Sequence, residues 1–530
     1  MLQTAHAQRG MITAPHHLAA QAGLAVLRDG GNAVEAMVAA AAAIAVVYPH
    51  MNAIGGDGFW LIAAPGTEPV AIRACGAAAG AATIDLYRRA GHATIPARGP
   101  LAALTVPGTV SGWAAALDLA AGWDGRPLPL ERLLEEATHY AIAGVPVTAS
   151  QARYTALKMG EMAESSGFGE TFLPSGRPPV AGQVLANPAL GQTLRRLARD
   201  GLDGFYRGDL ARSIAADLAR AGSPLAADDL ARHRAARVRP LAVGIGAGTV
   251  FNHPPPTQGL SSLMILALWD RLGRPAAEGF AHVHALVEAT KRAFLVRDAH
   301  VGCPSAMARS AEDFLTEAQF ATDAAAIDPA RAAPWPQQAP AKGDTIWMGA
   351  VDGAGRAVSF IQSIYWEFGS GVVLRDTGLL MQNRGASFQL EPAGLRALAP
   401  GRLPFHTLNP ALARLGDGRT VTYGTMGGEG QPQTQAAILT RLLAGQAPQQ
   451  AVTAPRWLLG RTWGAEATNL KIEDQMADGT IQALRRAGHD VEMVEGFSDL
   501  MGHAGMIVHG PDGVLSGAAD PRADGIVAAF

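Results

Sequence analysis

The stretch "PAKGDTIWMGAVDGAGRAVSF", residues 340–360, places a hydroxyl residue, Thr345, where a Pro/Ala/Gly-rich connection gives way to an alternating strand. Thr suits a strand start because its branched Cβ favours extended backbone. It also suits a different chemistry. A Thr at a chain terminus carries a hydroxyl nucleophile and an amine of pKa near ~8 on one residue, so it needs no separate Ser-His-Asp constellation.

The remaining candidates for chemistry are weaker. "GGNAVEA", "IGGDGFW", "GSGVV" and "TMGGEGQ" are Gly-rich, but none is a complete P-loop or dinucleotide fingerprint and none carries a P-loop Lys, so they read as turns and close backbone approaches. His16 and His17 in "PHHLAAQ" lack the spacing and companion ligands of a zinc site. No metal or cofactor is expected.

Composition bounds the class. The 530 residues are 48% hydrophobic and 17% charged, enough to bury a large core, and the net charge of −3 with no dense basic run argues against nucleic acid or an anionic membrane as partner. Cys75 and Cys303 form neither a disulfide framework nor a metal-ligand spacing; they are expected to be buried thiols in a reducing, cytoplasmic compartment. The amino-terminal stretch has no basic segment followed by an apolar core, so no secretory signal is expected. The apolar run from Ala33 contains Glu35 and is too short for a bilayer span.

The elements that must position Thr345 follow from periodicity. "DGGNAVEAMVAAAAAIAVV" predicts a buried helix capped at Asn32, and "FNHPPPTQGLSSLMILALWDRL" a Pro-rich loop feeding another, followed by a helix in "FAHVHALVEATKRAFLVRDAH". Residues 328–344 read as an exposed connection. After them "TIWMGAVD", "RAVSFIQSIY", "GVVLRDTGLLMQN" and "TVTYGTMGG" predict short strands. Neither part can bury its apolar faces alone, which predicts one layered α/β body.

"GGNAVEAMVAA", "IGGDGF", "TVPGTVSGW", "PPPTQG", "GDTIWMGAVDGAGRAV", "FGSGVV", "MGG" and "GAADPR" occur in the order seen in gamma-glutamyltranspeptidases, and the chain resembles that family over essentially its whole length. The resemblance implies an αββα four-layer sandwich of the N-terminal nucleophile hydrolase type. It also implies a precursor cut at Asp344–Thr345 into a large subunit, 1–344, and a small subunit, 345–530, both within one body and able to associate as a dimer of heterodimers. By the same resemblance Thr345 is the nucleophile and Ser363 orients it. Gly427 and Gly428 supply the oxyanion hole, and Arg73 clamps a substrate carboxylate.

The chain departs from glutathione-cleaving relatives where those hold an α-amino group with Asn, Gln or Glu, and Asp. Tyr365, Arg384 and Ser387 stand there, and His406 and Thr407 replace a serine pair. A cation in place of an anion repels an ammonium group. These motifs are most similar to family members acting on oxamate, an amide joined directly to a carboxylate. The expected activity is therefore hydrolysis of a small anionic amide, with Arg73 or Arg384, aided by Tyr365 or His406, on the carboxylate. Gamma-glutamyl hydrolysis or transfer, a glutaryl-type acylase, and a non-catalytic binder of small carboxylates are the alternatives. The segment from Ser387 to His406 is short for the family's lid loop, which leaves the covering of the site open.

Overall fold

The helix predicted after Gly31 forms over Ala33–Val47, and its start is fixed locally. Asn32 Oδ1 accepts from the Val34 and Glu35 amides at 2.9 and 3.1 Å, while Glu35 Oε2 accepts from the Asn32 amide at 2.8 Å, a reciprocal cap. The run of alanines lets neighbours approach on every side, and nearly all of the helix is buried. This helix (α2) and the preceding His17–Arg28 (α1) cover one face of a sheet.

The computed structural model describes residues 3–123, 125–335, 344–460 and 469–530. The expected connection thus lies partly outside the described residues, at 336–343. Fourteen strands build the two central sheets: β1 Ala5–Ala7, β2 Gly10–Ala14, β3 Asp57–Ala63, β4 Val70–Ala74, β5 Ala236–Val238, β6 Leu241–Ile245, β7 Gly248–Asn252, β8 Asp344–Asp352, β9 Ala357–Tyr365, β10 Ala411–Leu415, β11 Thr420–Thr425, β12 Ala504–His509, β13 Leu515–Ala519 and β14 Ile526–Ala529. One sheet runs β14-β2-β8-β9-β3-β4-β5 and the other β1-β13-β12-β11-β10-β7-β6, all neighbours antiparallel. Strands from before and after residue 344 are interleaved in both sheets. A cut there would leave both sheets shared between the two pieces.

Alternation along β8 assigns its faces. Ile346, Met348 and Ala350 join the core under α1 and α2, which turns Thr345 and Trp347 toward the second sheet. Trp347 Nε1 donates to Ser359 Oγ at 2.9 Å and its ring fills the space between the sheets. Glycines on the opposite sheet make room for it: a Cβ at Gly424 would lie 2.3 Å from Trp347 Cδ1, and one at Gly505 2.4 Å from Cζ3. Gly424→Ala is therefore expected to lower stability by about 1–3 kcal/mol through overpacking, read as a fall in the urea midpoint at unchanged m-value.

The second sheet carries the other helical layer, α3 Gly259–Arg271, α4 Phe280–His300 and α5 Gln431–Leu443, packed on Ala411, Ala413, Val421 and Tyr423. The architecture is the expected αββα sandwich. One expected strand is absent: "GVVLRDTGLLMQN" forms only isolated bridges, Val373 with Leu380 and Gly55 with Met381. Its backbone groups bond sideways to helical residues instead, Asp376 N to Asp217 Oδ2, and the Thr377 and Gly378 carbonyls to Thr193 Oγ1 and Asn187 Nδ2. No helix among the described residues is long and apolar enough to cross a membrane.

Candidate active site

Thr345 stands at a fault in the ladder between β8 and β9. Asp344 pairs with Tyr365 but Ile346 pairs with Gln362, so Ser363 and Ile364 together oppose Thr345 across a bulge. Thr345 Oγ1 donates to Ser363 Oγ at 3.2 Å, and Ser363 Oγ also accepts from the Tyr365 amide at 2.8 Å; both hydroxyls are buried. Tyr365 has φ of 84°, a left-handed conformation rare for an aromatic residue, as the strand leaves the sheet. Ser363→Ala would remove the acceptor for Thr345 and strand the Tyr365 N–H. We expect about 1–3 kcal/mol, or roughly 5- to 150-fold slower chain cleavage and turnover, measured by the appearance of the two fragments and by ammonia release.

Strand β11 of the opposite sheet ends at Thr425 and feeds Gly427 and Gly428, which lead through a short 3-10 turn into α5. Both glycines have positive φ, 117° and 53°, so the pair sits at the positive end of a helical segment in a conformation that side chains resist. Gln258, just before α3, holds this corner. Its Nε2 donates to the Gly428 and Thr407 carbonyls, each at 2.8 Å, and its Oε1 accepts from Arg297 Nη1 at 3.1 Å. Arg297 in turn lies 3.4 Å from Glu429.

Next to Tyr365 lies a buried polar pocket. The Arg384 guanidinium carbon stands 3.8 Å over the Tyr365 ring, and its Nη1 and Nη2 are buried with no hydrogen-bond partner among the described residues. Burial lowers the Arg384 pKa to about 10, opposed by Tyr365, Asp57 and Cys75, so it remains a cation at neutral pH. His406 Nε2 is 3.4 Å from Asp57 Oδ2, within ion-pair range but not aligned as a hydrogen bond. Burial first, then Arg384 and His253, hold His406 well below its usual pKa, so it is neutral. Among the described residues Thr407 Oγ1 and Ser387 Oγ are also without hydrogen-bond partners; Thr407 is buried and Ser387 half-buried.

Arg73 is placed differently. It lies on β4, opposite Phe59, and lines a cleft with Cys75, Arg232, Arg234 and Leu403. Cys75 lies within electrostatic reach of both Arg73 and Arg384. The structure thus links Thr345, Ser363, Tyr365 and Arg384 by successive contacts, sets Asp57 within electrostatic reach of Arg384 and 3.4 Å from His406, and places Arg73 in a cleft whose lining also includes Cys75 and Asp229.

The sequence pattern of gamma-glutamyltranspeptidases matches residues 19–530. The chain belongs to the gamma-glutamyltranspeptidase family. It is 56% identical to the oxamate amidohydrolase proenzyme of Klebsiella pneumoniae over 98% of each chain, and 41% identical to the glutathione hydrolase-like YwrD proenzyme of Bacillus subtilis over 97% of each. The crystal structure of cephalosporin acylase from Bacillus halodurans superposes with a TM-score of 0.90 at 34% identity, covering 100% of this chain and 97% of the acylase. This gamma-glutamyltranspeptidase-family chain is thus a hydrolase of the N-terminal nucleophile type.

Asp57, Gln258 and Arg297 were not singled out by sequence reasoning. The signal for Asp57 was a lone carboxylate inside "IGGDGF", a segment otherwise of Gly and apolar residues, where a charge needs a buried partner. Thr345, Arg384 and His406 are all buried in the uncut chain. Elsewhere, His284, Glu288 and His489 converge closely enough to hold a cation. Lys291 Nζ already occupies Glu288 Oε1 at 2.7 Å, and His284 Nδ1 bonds His489 Nε2 at 2.8 Å, so the cluster reads as an internal hydrogen-bond network.

Proposed function

We propose that the chain cuts itself at Asp344–Thr345 and then hydrolyses oxamate to oxalate and ammonia through an ester on Thr345. The observation that carries this reading is the buried Arg384 guanidinium, whose Nη1 and Nη2 have no hydrogen-bond partner among the described residues and which is joined to the Thr345 hydroxyl by three successive contacts through Tyr365 and Ser363. A buried cation with no hydrogen-bond partner is costly unless an anion completes it. A carboxylate fits that role, and an amide joined directly to it is short enough to present its carbonyl nearby.

In the uncut chain the Thr345 nitrogen is a peptide N–H and can accept no proton. The first reaction is therefore intramolecular: Thr345 Oγ1 attacks the Asp344 carbonyl carbon, the peptide C–N bond breaks, and water opens the resulting ester. Asp344 becomes a carboxylate terminus and Thr345 gains a free amine. That amine is the base of the second reaction. Thr345 Oγ1 attacks the oxamate amide carbon as its proton passes to the amine, the Gly427 and Gly428 amides receive the oxyanion, and the proton leaves with ammonia. Water, deprotonated by the same amine, then cleaves the oxalyl ester.

Arg384, flanked by Tyr365, is the residue of choice for the carboxylate, while Arg73, in the cleft beside Cys75, is the second candidate. The likeness to a cephalosporin acylase supports a second reading, an acylase for longer dicarboxylic monoamides. Purified enzyme given oxamate, glutathione and a glutaryl amide in parallel decides between them. Ammonia from oxamate with no glutamate from glutathione is the expected result; preferential turnover of either other substrate overturns the oxamate assignment.

A further inference from the structure

Asp57 stands where the pocket's charges meet, and it rests on no part of the reaction just described. Its Oδ1 accepts from the Gly76 and Gly108 amides at 3.2 and 3.0 Å and from Gln382 Nε2 at 3.2 Å, while Oδ2 has no hydrogen-bond partner and lies toward His406. The residue is fully buried. Each element around it contributes a group. Cys75 follows β4, and Arg73 on that strand reaches Cys75; Arg384 comes from the turn after Gln382; His406 approaches from the other side with His253 behind it; and Tyr206 feels the Asp57 charge from the helical side. Arg384 is the cation acting on Asp57, yet the two make no ion pair.

We propose that Asp57 is the counter-charge of the pocket: it balances Arg384 while the site is empty and takes a proton from solvent when the substrate carboxylate arrives on Arg384. The inference rests on the reading of Arg384 given above. Its physical basis is that two carboxylates cannot both stay ionised around one buried guanidinium without strong repulsion. Three donors fix Asp57 Oδ1 in place, so the carboxyl group cannot swing away; accepting a proton on Oδ2 is the remaining relief.

Burial raises the Asp57 pKa to about 7, against the opposing pull of Arg384, Gln382 and the two amides. The sign follows. Below pH 7 the group is already protonated in the empty site and an anion binds without proton uptake. Above pH 7 it is ionised, binding must bring a proton, and apparent affinity falls by up to tenfold per pH unit. Asp57 is thus a positioning and specificity residue that acts through Arg384.

The test is calorimetric titration of the processed enzyme with oxalate at pH 6 and pH 8, each in two buffers of different ionisation enthalpy, with KM and kcat for oxamate measured across the same range. Expected are buffer-dependent heats at pH 8 corresponding to uptake of close to one proton, little dependence at pH 6, and a KM that rises above pH 7 more steeply than kcat changes. Asp57→Asn should abolish the uptake and flatten the KM profile. Buffer-independent heats at pH 8, or an Asp57→Asn enzyme that keeps the uptake, would overturn the proposal; where that variant fails to mature, the unsubstituted enzyme's two pH values decide. Oxamate turnover without proton uptake removes only this inference, whereas no turnover of oxamate and no binding of oxalate removes the parent reading with it.

Discussion

Thr345→Ala yields a single 530-residue chain that releases no ammonia from oxamate. Both losses have one cause. The Thr345 hydroxyl, held 3.2 Å from Ser363 Oγ at the bulge, is the atom proposed to open the Asp344 bond and later the substrate amide. Without it no amine terminus forms, so the base is lost with the nucleophile and the fall in turnover is on the order of 10⁴-fold or more. Denaturing mass spectrometry checks the first loss and an ammonia assay the second. Thr345→Ser keeps the hydroxyl and should still yield two fragments, more slowly. An Ala variant that is cut at Asp344 and turns over would sink the mechanism.

Arg384→Met separates substrate binding from folding. Its expected cost is about 2–5 kcal/mol of transition-state binding, roughly 30- to 5,000-fold in kcat/KM. The side chain gives the folded protein little in return, because Nη1 and Nη2 are buried without hydrogen-bond partners and an apolar residue of similar length avoids that desolvation. At pH 6, where Asp57 is protonated and needs no counter-cation, thermal unfolding of the ligand-free variant should therefore occur at an unchanged or higher Tm. Chain cleavage should proceed, since Asp344 and Thr345 are untouched. A variant that loses stability together with activity would instead make Arg384 a structural residue. Arg73→Met, in the cleft beside Cys75, should have the smaller effect, mainly a raised KM with weaker salt dependence.

What could be read without coordinates was local. The Asn32 cap, the alternation of Ile346, Met348 and Ala350 against Trp347, and the glycines before the α5 segment are set by neighbours in the chain, and each forms as expected. Motif order likewise pointed to the family, because its short Gly- and Thr-containing segments stand at turns and strand ends where few residue types fit. The segment 371–383 was misread as a strand for the converse reason. Its composition is strand-like, but Asp217, Thr193 and Asn187 from distant helices compete for its backbone groups.

The sequence by itself pointed to the class of chemistry: a hydroxyl at a loop-to-strand junction, a glycine pair at a strand end, and a cation where relatives use an anion. It could not rank Arg73 above or below Arg384, because neither arginine's neighbours in the chain show how deeply its side chain is buried or what faces it. Only the tertiary structure separates them, since desolvation and pairing depend on what packs around each side chain from elsewhere in the chain. Arg73 lines a cleft, whereas Arg384 is buried beside Tyr365 with no hydrogen-bond partner for Nη1 or Nη2 among the described residues. The same holds for Asp57, whose pKa is raised by burial and pulled back by Arg384 and Gln382, both more than 300 residues away. Burial and charge balance are sums over the fold, and no window of sequence contains their terms.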